Sequence, residues 1–204
     1  NKTRLFFWIQ DWMAKRSYSQ WRAEQSKQLL REDTVFKQEP KVSFLLSYPT
    51  DKIDELLSTL ESIKSLKKDN WEVILLTSEK GKNPALPDEI GQDPRIGTLT
   101  SKSKNIIEST KGDFVLFCEA GDLFFKGLLI FFYKTLSEDP SANWYFYDCE
   151  YHDSKSNKIQ PLFKHPSFSP CLLLSINYLS RGFIRKSFLH ENSIKLNPDQ
   201  NPIN

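Results

Sequence analysis

Cysteine, histidine and glycine are scarce in this chain of 204 residues, which contains 3, 3 and 7 of them. The odd number and wide spacing of the cysteines exclude a disulfide framework, a zinc ribbon and a Cys-x-x-Cys redox pair. The histidines show no metal-ligand spacing. The glycines form neither of the two common phosphate-binding fingerprints, and no Gly-x-Ser-x-Gly nucleophile elbow occurs. The sequence therefore gives no sign of a P-loop, a dinucleotide-binding loop or a serine-hydrolase triad.

The chain also lacks an excess of charge and a long apolar run. Its 28 basic and 26 acidic residues give a net charge of +2, which is too weak a balance to predict a nucleic-acid partner. The longest apolar run, Leu123 to Tyr133, is broken by Lys126 and Gly127 and falls short of the ~20 residues that span a bilayer. No secretory signal is recognisable. We therefore expect a cytoplasmic protein with reduced thiols.

From Val42 onward the sequence alternates between short apolar runs and helical patterns. The runs of strand length are Val42 to Ser47, Trp71 to Leu76, Arg95 to Leu99, Phe114 to Cys118 and Trp144 to Tyr147. Between them lie apolar positions at helical spacing, in 53–63, 101–110 and 125–136, with Thr50 or Asp51 as the cap of the first helix. Short, nearly all-apolar strands are typical of a sheet buried on both faces. The pattern predicts an α/β fold with a mostly parallel sheet flanked by helices.

Three regions follow from the composition. Residues 1–38 are predicted to form an N-terminal helical extension, residues 39–189 the α/β domain, and residues 190–204 a polar tail that is truncated or disordered. The aromatic stripe of the extension, which includes Trp8 and Trp12, could lie on a membrane interface or pack on the main domain or a partner. We favour packing, because core-facing stripes are far commoner. After Asp148 the pattern weakens, and residues 152–171 are polar and rich in proline.

Polar side chains follow the predicted strands at the ends where a parallel sheet binds ligands. Glu119 and Asp122 come directly after one apolar strand. The other strands end at Ser47, Tyr48 and Thr50, at Thr77, and at Asp148. We expect these groups to share one crevice. Carboxylates there could hold a hard cation, and a cation can neutralise a diphosphate. A plain acidic loop after a core strand is the simpler alternative.

Several short sequence pieces follow one another in a defined order: Tyr18-Ser-Gln-Trp21, Lys41-Val-Ser-Phe-Leu-Leu46, Trp71-Glu-Val-Ile-Leu-Leu76, Lys104-Asn105 through Gly112-Asp-Phe114, Phe163-Lys164, Phe168-Ser-Pro170 and Leu172-Leu-Leu-Ser-x-Asn-Tyr178. Their order resembles the family 2 glycosyltransferases, which have the GT-A fold, and in particular the bacterial rhamnosyltransferase-like proteins that build envelope polysaccharides. The last three pieces, which match one block of that subgroup, are the most specific. The resemblance extends from about Tyr18 to Leu189.

The resemblance implies transfer of a sugar from a nucleotide-sugar donor to a glycan or lipid-linked acceptor, at the inner face of the membrane. It implies nucleotide binding by Ser47, Tyr48, Thr50, Thr77 and Asn105, metal binding by Glu119 and Asp122, and donor or acceptor contacts by Asp148, Lys164 and Asn177. The family's Asp-x-Asp motif aligns with Glu119-Ala-Gly121, so its second acid is missing and binding of Mn²⁺ or Mg²⁺ is expected to be weak or absent.

The resemblance assigns no catalytic residue in this chain, because the family's general base is expected near or beyond Asn204. Peripheral contact with a membrane or a partner through the N-terminal helix would fit such a role. A catalytically degenerate family member that acts as a binding or scaffold module is the alternative.

Overall fold

The computed structural model describes residues 20, 22–24, 27, 35–49, 51–77, 86–100, 106–153, 158–163 and 181–192. Its internal contacts divide the chain into two units. The larger unit comprises Phe36–Asp148 and His165–Asn204, and the smaller comprises Asn1–Val35 and Cys149–Lys164. Within the described part of the chain, no helix has the length and apolar character needed to cross a bilayer.

The larger unit is built on a six-stranded sheet with the strand order β3-β2-β1-β4-β8-β5. Its strands are β1 (Val42–Ser47), β2 (Trp71–Thr77), β3 (Ile96–Thr100), β4 (Phe114–Glu119), β5 (Trp144–Phe146) and β8 (Gly182–Arg185). The first four are parallel, whereas β8 runs antiparallel to both of its neighbours. Since β8 reverses direction, β5 runs the same way as β4. The predicted α/β fold with a mostly parallel sheet is confirmed.

The central strands are buried on both faces, as their apolar sequences predict. Alternate residues enter separate core clusters: Phe44 and Leu116 pack on one side of the sheet, and Leu45 and Val115 on the other. Burial of each such side chain contributes about 1.5–3 kcal/mol. The central sheet is thus the rigid element on which the loops at its edges are mounted.

Helix α1 (Ile53–Lys64) follows β1 and buries Leu56, Leu60 and Ile63 against the core. The predicted cap by Thr50 or Asp51 is wrong, because the N-cap position is Lys52, whose side chain makes no capping hydrogen bond. Among the described residues of the larger unit, the other helices are α2 (Asp88–Gly91), α3 (Leu128–Glu138) and α4 (Lys186–Glu191).

The sequence pattern predicts a helix over 101–110. Of the described residues 106–110, residues 106–109 form turns and none is helical, and residues 101–105 lie outside the described part. Ile106 and Ile107 are nevertheless buried, as the pattern predicted.

Aromatic packing explains why a strand as short as β8 joins the sheet. The ring of Phe183 stacks on that of Phe132 of α3, with centroids 4.1 Å apart. Phe132 also contacts Phe114 of β4, edge to face, at 4.9 Å. Such pairs add about 0.5–1.5 kcal/mol beyond their area burial. These contacts fix β8 beside β4. They thereby also fix the position of Arg181, which directly precedes β8 at the carboxyl edge of the sheet.

The smaller unit contains a hairpin that the sequence pattern did not predict. Strands β6 (Cys149–Asp153) and β7 (Lys158–Phe163) pair antiparallel, with a register shift between Cys149 and Glu150. Residues 20, 22–24 and 27 are helical, and the N-terminal helical extension as a whole stays a prediction. Within this unit, Arg22 Nε donates to both oxygens of Glu150, at 2.7 and 2.8 Å. The aromatic stripe before residue 20 lies outside the described residues.

Candidate functional site

The carboxyl ends of the parallel strands bring predicted site residues side by side. Ser47 pairs in register with Glu119 of β4 on one side and with Leu76 of β2 on the other. Thr77, the last residue of β2, is opposite Thr100 of β3. The residues at this edge follow one another in the order Thr100, Thr77, Ser47 and Glu119; Thr77 is buried, whereas the other three are half-buried.

Tyr48 follows Ser47 at this edge, half-buried, and packs against the core cluster of the α1 side. Burial raises the pKa of its phenol, so the hydroxyl is neutral at physiological pH. Asp148 lies just beyond β5, whose direction brings it to the same edge, and it is exposed. The predicted residues Thr50, Asn105, Lys164 and Asn177 lie outside the described part of the chain, so their roles remain predictions.

The turn after β4 is closed by its own hydrogen bonds. The Glu119 N–H donates to Asp122 Oδ2 at 2.9 Å, and the Asp122 N–H donates back to the Glu119 carbonyl at 3.0 Å. Gly121 has φ = 100°, a left-handed conformation that favours glycine. Asp122 therefore holds the shape of the turn, a role that its spacing from Glu119 did not reveal.

Neighbouring elements tie the same turn to the sheet and to α1. The Ala120 N–H donates to the Ser47 carbonyl at 2.9 Å, which extends the pairing of β1 with β4 by one residue. The Gly121 N–H donates to Thr59 Oγ1 at 2.9 Å, and the Phe124 N–H to Ser62 Oγ at 3.1 Å. Both hydroxyls belong to α1, so the backbone of the turn is fixed before any ligand binds.

Arg181 is the site residue that the sequence analysis missed. Its Nη1 donates to Asp122 Oδ1 at 2.5 Å, and the two side chains are 30% and 21% exposed. It precedes β8, and its carbonyl accepts the Tyr147 N–H at 3.3 Å, so it lies at the carboxyl edge between β4 and β5. A lone arginine before a four-residue strand carries no recognisable signal, because its partner is 59 residues away in sequence.

The side chains of this turn do not fit a divalent cation well. Both oxygens of Asp122 already accept hydrogen bonds, from Arg181 and from the Glu119 N–H. Gly121 supplies no carboxylate where the resemblance places the second acid. Among the described residues, no group of three His, Cys, Asp or Glu side chains could hold a metal ion. Mg²⁺ and Mn²⁺ prefer several hard oxygen ligands, and this arrangement offers few.

The Glu55 carboxylate lies beside this turn and is paired with Lys52. A Cβ placed on Gly121 would lie 3.3 Å from Glu55 Oε2, so the Glu55 carboxylate stands beside the turn. Lys52 Nζ donates to that same oxygen at 3.0 Å.

Cys118, at the end of β4, is fully buried, and burial raises the pKa of its thiol well above the usual value. The thiol is therefore protonated and inert.

Comparison with known proteins identifies the fold. No protein-family model and no curated protein matches the chain. Among solved structures, S. aureus TarS 1–349 in complex with UDP has a TM-score of 0.56 and 14% identity, covering 79% of this chain and 52% of that one. TarS 1–349 in complex with UDP-GlcNAc also gives 0.56, with 12% identity over 76% of this chain and 48% of the other.

A third solved structure agrees. The mannosyltransferase PcManGT from Pyrobaculum calidifontis, in complex with GDP-Man and Mn²⁺, has a TM-score of 0.52 and 14% identity, covering 91% of this chain and 57% of that one. The chain thus spans about half the length of these structures. At such low identity the likeness concerns the fold alone. The chain has a GT-A-like glycosyltransferase fold.

Proposed function

We propose that this chain binds a nucleotide-sugar donor at the carboxyl edge of its sheet and serves sugar transfer to a glycan or lipid-linked acceptor. The observation that carries the proposal is the alignment of Ser47, Thr77 and the Glu119–Asp122 turn along one edge of a GT-A-like sheet. Ligands of open α/β sheets bind outside the carboxyl ends of the strands. Solved structures that share this fold contain UDP, UDP-GlcNAc and GDP-Man.

The chemistry of the edge suits a nucleotide-sugar. Hydroxyl groups such as that of Ser47 can donate to and accept from a ribose or a sugar, and the Glu119 carboxylate can accept bonds from sugar hydroxyls. The Tyr48 ring offers an apolar face beside them, of the kind on which nucleobases stack. The turn that carries Glu119 is fixed by α1, which lowers the entropic cost of binding.

In the proposed reaction, an acceptor hydroxyl attacks the anomeric carbon of the donor sugar and the nucleoside diphosphate leaves. A general base takes the proton of that hydroxyl, and we assign this role to no described residue. Membership in family 2 and a role in envelope polysaccharides belong to the proposal. They rest on the ordered sequence pieces, above all Phe168-Ser-Pro170 and Leu172 to Tyr178.

Calorimetric titration tests donor binding. We expect UDP, GDP or TDP, or one of their sugars, to bind with a Kd in the range of about 1 μM to 1 mM that is usual for substrates. Glu119→Gln should weaken a nucleotide-sugar more than the bare nucleotide. Glu138→Gln, an exposed change at the end of α3, should alter neither. If no nucleotide or nucleotide-sugar binds, with or without Mn²⁺, the proposal is wrong.

A degenerate binding or scaffold module remains the second candidate. It is favoured by Gly121 in place of the second acid and by the engagement of both Asp122 oxygens. A scaffold could retain donor binding without turnover. The two candidates are separated by donor consumption, measured as nucleoside diphosphate release in the presence of glycan and lipid-linked acceptors. Release above that of Glu119→Gln supports the enzyme, and equal release supports the scaffold.

A further inference from the structure

We infer that Arg181 is the fixed cation of this site, and that it binds the donor diphosphate without the help of a divalent metal ion. This inference rests on the proposed function, since it concerns how the same edge holds a nucleotide-sugar. It adds a binding residue that the strand-end pattern and the resemblance did not indicate.

The position of Arg181 is set by the backbone on both sides. On one side it leads into β8, whose Phe183 is anchored by the stack on Phe132. On the other, its carbonyl accepts the Tyr147 N–H from the segment after β5. The guanidinium is therefore held where β4 and β5 end, and its side chain remains 30% exposed. A ligand that reaches the Glu119 turn also reaches this guanidinium.

Asp122 orients the guanidinium in the way a carboxylate orients a catalytic side chain. Its Oδ1 accepts from Arg181 Nη1, and its Oδ2 is fixed by the Glu119 N–H. Both ends of the pair are thereby restrained. Guanidinium is planar, always charged at physiological pH, and has five N–H donors that match phosphate oxygens bidentately. A guanidinium restrained in this way can bind a diphosphate with little further loss of side-chain entropy.

The same contacts make a metal ion a poor competitor for this position. To ligate a cation, Asp122 would have to share its oxygens with the Arg181 guanidinium and with the backbone of its own turn, and the guanidinium would repel the cation. Gly121 contributes no oxygen, and Glu55 is already bound by Lys52 at 3.0 Å. Arg181 and Lys52 offset the charges of Asp122 and Glu55, so these two carboxylates need not repel a diphosphate. In this arrangement the Arg181 guanidinium takes the role that a bound divalent metal ion would otherwise have at the diphosphate.

Calorimetry with UDP, GDP and TDP and with their sugars, in EDTA and in Mn²⁺, tests the inference on the wild-type chain. We expect the Kd of the tightest-binding nucleotide to differ by less than about threefold between the two conditions. Arg181→Gln should weaken binding by about tenfold or more in EDTA, because charge-assisted bonds to phosphate are strong. Arg181→Lys keeps the positive charge but loses the planar, bidentate guanidinium. Its Kd for the nucleotide should lie between those of the wild type and Arg181→Gln.

The matched control is Arg185→Gln. Arg185 lies on the same strand but pairs in register with Phe114, at the opposite edge of the sheet. There its Nη2 bonds to the carbonyls of Pro140 and Ala142. This variant should bind nucleotide as the wild type does, and circular dichroism checks that every variant is folded.

The outcomes separate the inference from the proposed function. Binding that survives EDTA and is lost in Arg181→Gln supports both. Binding that requires Mn²⁺, or that Arg181→Gln leaves unchanged, overturns the role of Arg181 and leaves donor binding standing. Absence of nucleotide binding in both conditions overturns the two together.

Discussion

A Cβ atom at Gly121 would lie 3.3 Å from the Glu55 carboxylate, and Gly121 has φ = 100°. Backbone strain and like charge therefore both oppose an acid at the position where the resembled family has one. We predict that Gly121→Asp destabilises the chain by about 1–3 kcal/mol, measured as the free energy of unfolding in urea. Restoring the family's motif in this chain is thus not a neutral change.

A double-mutant cycle separates the charge from the strain. Glu55→Gln should recover part of the loss in Gly121→Asp, because it removes the like charge. It should recover nothing in Gly121→Ala, which suffers only the strain. Equal recovery in both backgrounds, or an unchanged stability of Gly121→Asp, would contradict the geometry of the turn.

The hydrogen bond of Thr59 is predicted to be the main contact that holds the Glu119–Asp122 turn to α1. The Thr59 side chain is completely buried, and Oγ1 accepts the Gly121 N–H while donating to the Glu55 carbonyl. Thr59→Val keeps the shape but leaves that N–H unsatisfied, which we expect to cost about 1–3 kcal/mol. Hydrogen exchange at the Gly121 amide should accelerate beyond the global change in stability.

The control is Ser58→Ala on the same helix. The Ser58 hydroxyl is exposed and bonds only within α1, to the Asp54 carbonyl. Its removal should change stability by less than about 0.5 kcal/mol. If Ser58→Ala and Thr59→Val have the same effect on the Gly121 amide, the Thr59 hydrogen bond is not the main contact.

Substitution by alanine is expected to change the stability of the chain in opposite directions at two glycines, Gly112 and Gly97. A Cβ on Gly112 would meet Ser43 Oγ at 2.5 Å and the Lys41 carbonyl at 2.9 Å, whereas one on Gly97 would meet nothing within 4 Å. Gly112→Ala should therefore destabilise by about 1–3 kcal/mol through overpacking. Gly97→Ala should stabilise by about 0.4–1 kcal/mol, because it restricts the unfolded chain and suits a strand.

Chemical denaturation of both variants under identical conditions measures the two effects. Gly112 lies beside a buried network in which Ser43 Oγ donates to Glu72 and accepts the Gly112 N–H. The close approach is needed for that bond. A stable Gly112→Ala chain, or a destabilised Gly97→Ala chain, would show that the backbone at these positions lies differently.

The Asp93–Arg95 pair predicts a pH dependence of stability. Arg95 donates to both oxygens of Asp93, and this hydrogen bonding lowers the pKa of the carboxyl below 3.8. A lowered folded-state pKa stabilises the protein above the unfolded value, and the stabilisation is lost as the pH falls through the folded value. Asp93→Asn should therefore cost about 0.5–1 kcal/mol at pH 7.

The stability difference between wild type and Asp93→Asn should shrink as the pH falls below about 4. Unfolding in urea at a series of pH values measures it. A difference that persists unchanged to pH 3, or one that grows on acidification, would mean that the ion pair is not the source of the stabilisation.

The sequence predicted the central fold because burial leaves a local signal. Continuous apolar runs at Phe44 and Leu116 identify strands covered on both faces, and the positions around Leu60 have helical spacing. Because the carboxyl ends of parallel strands lie at the same edge of a sheet, the sequence also predicted that Ser47, Thr77 and Glu119 share one edge. These inferences use only neighbouring residues and the direction of a parallel sheet.

What the sequence did not reveal depends on contacts between distant residues. Strand β8 is four residues long and is recruited by antiparallel pairing of Phe183 with Leu116 and by aromatic packing. Residues of the β6–β7 hairpin had the polar, proline-containing composition of a loop. The roles of Asp122 and Arg181 could not be read from spacing either, since Asp122 closes a turn and Arg181, 59 residues away in sequence, pairs with it from the neighbouring strand end.

The most direct test of the central claim is residue-resolved NMR of the labelled chain titrated with UDP, GDP and TDP and with their sugars. The account predicts saturable shifts of the amides at the carboxyl edge: Ser47, Tyr48, Thr77, Glu119 through Asp122, and Arg181. The amides of Lys41, Phe114 and Arg185, at the opposite edge of the sheet, should remain unchanged. Absence of shifts with all of these ligands, or shifts confined to the opposite edge, would contradict the proposal that this edge is the donor site.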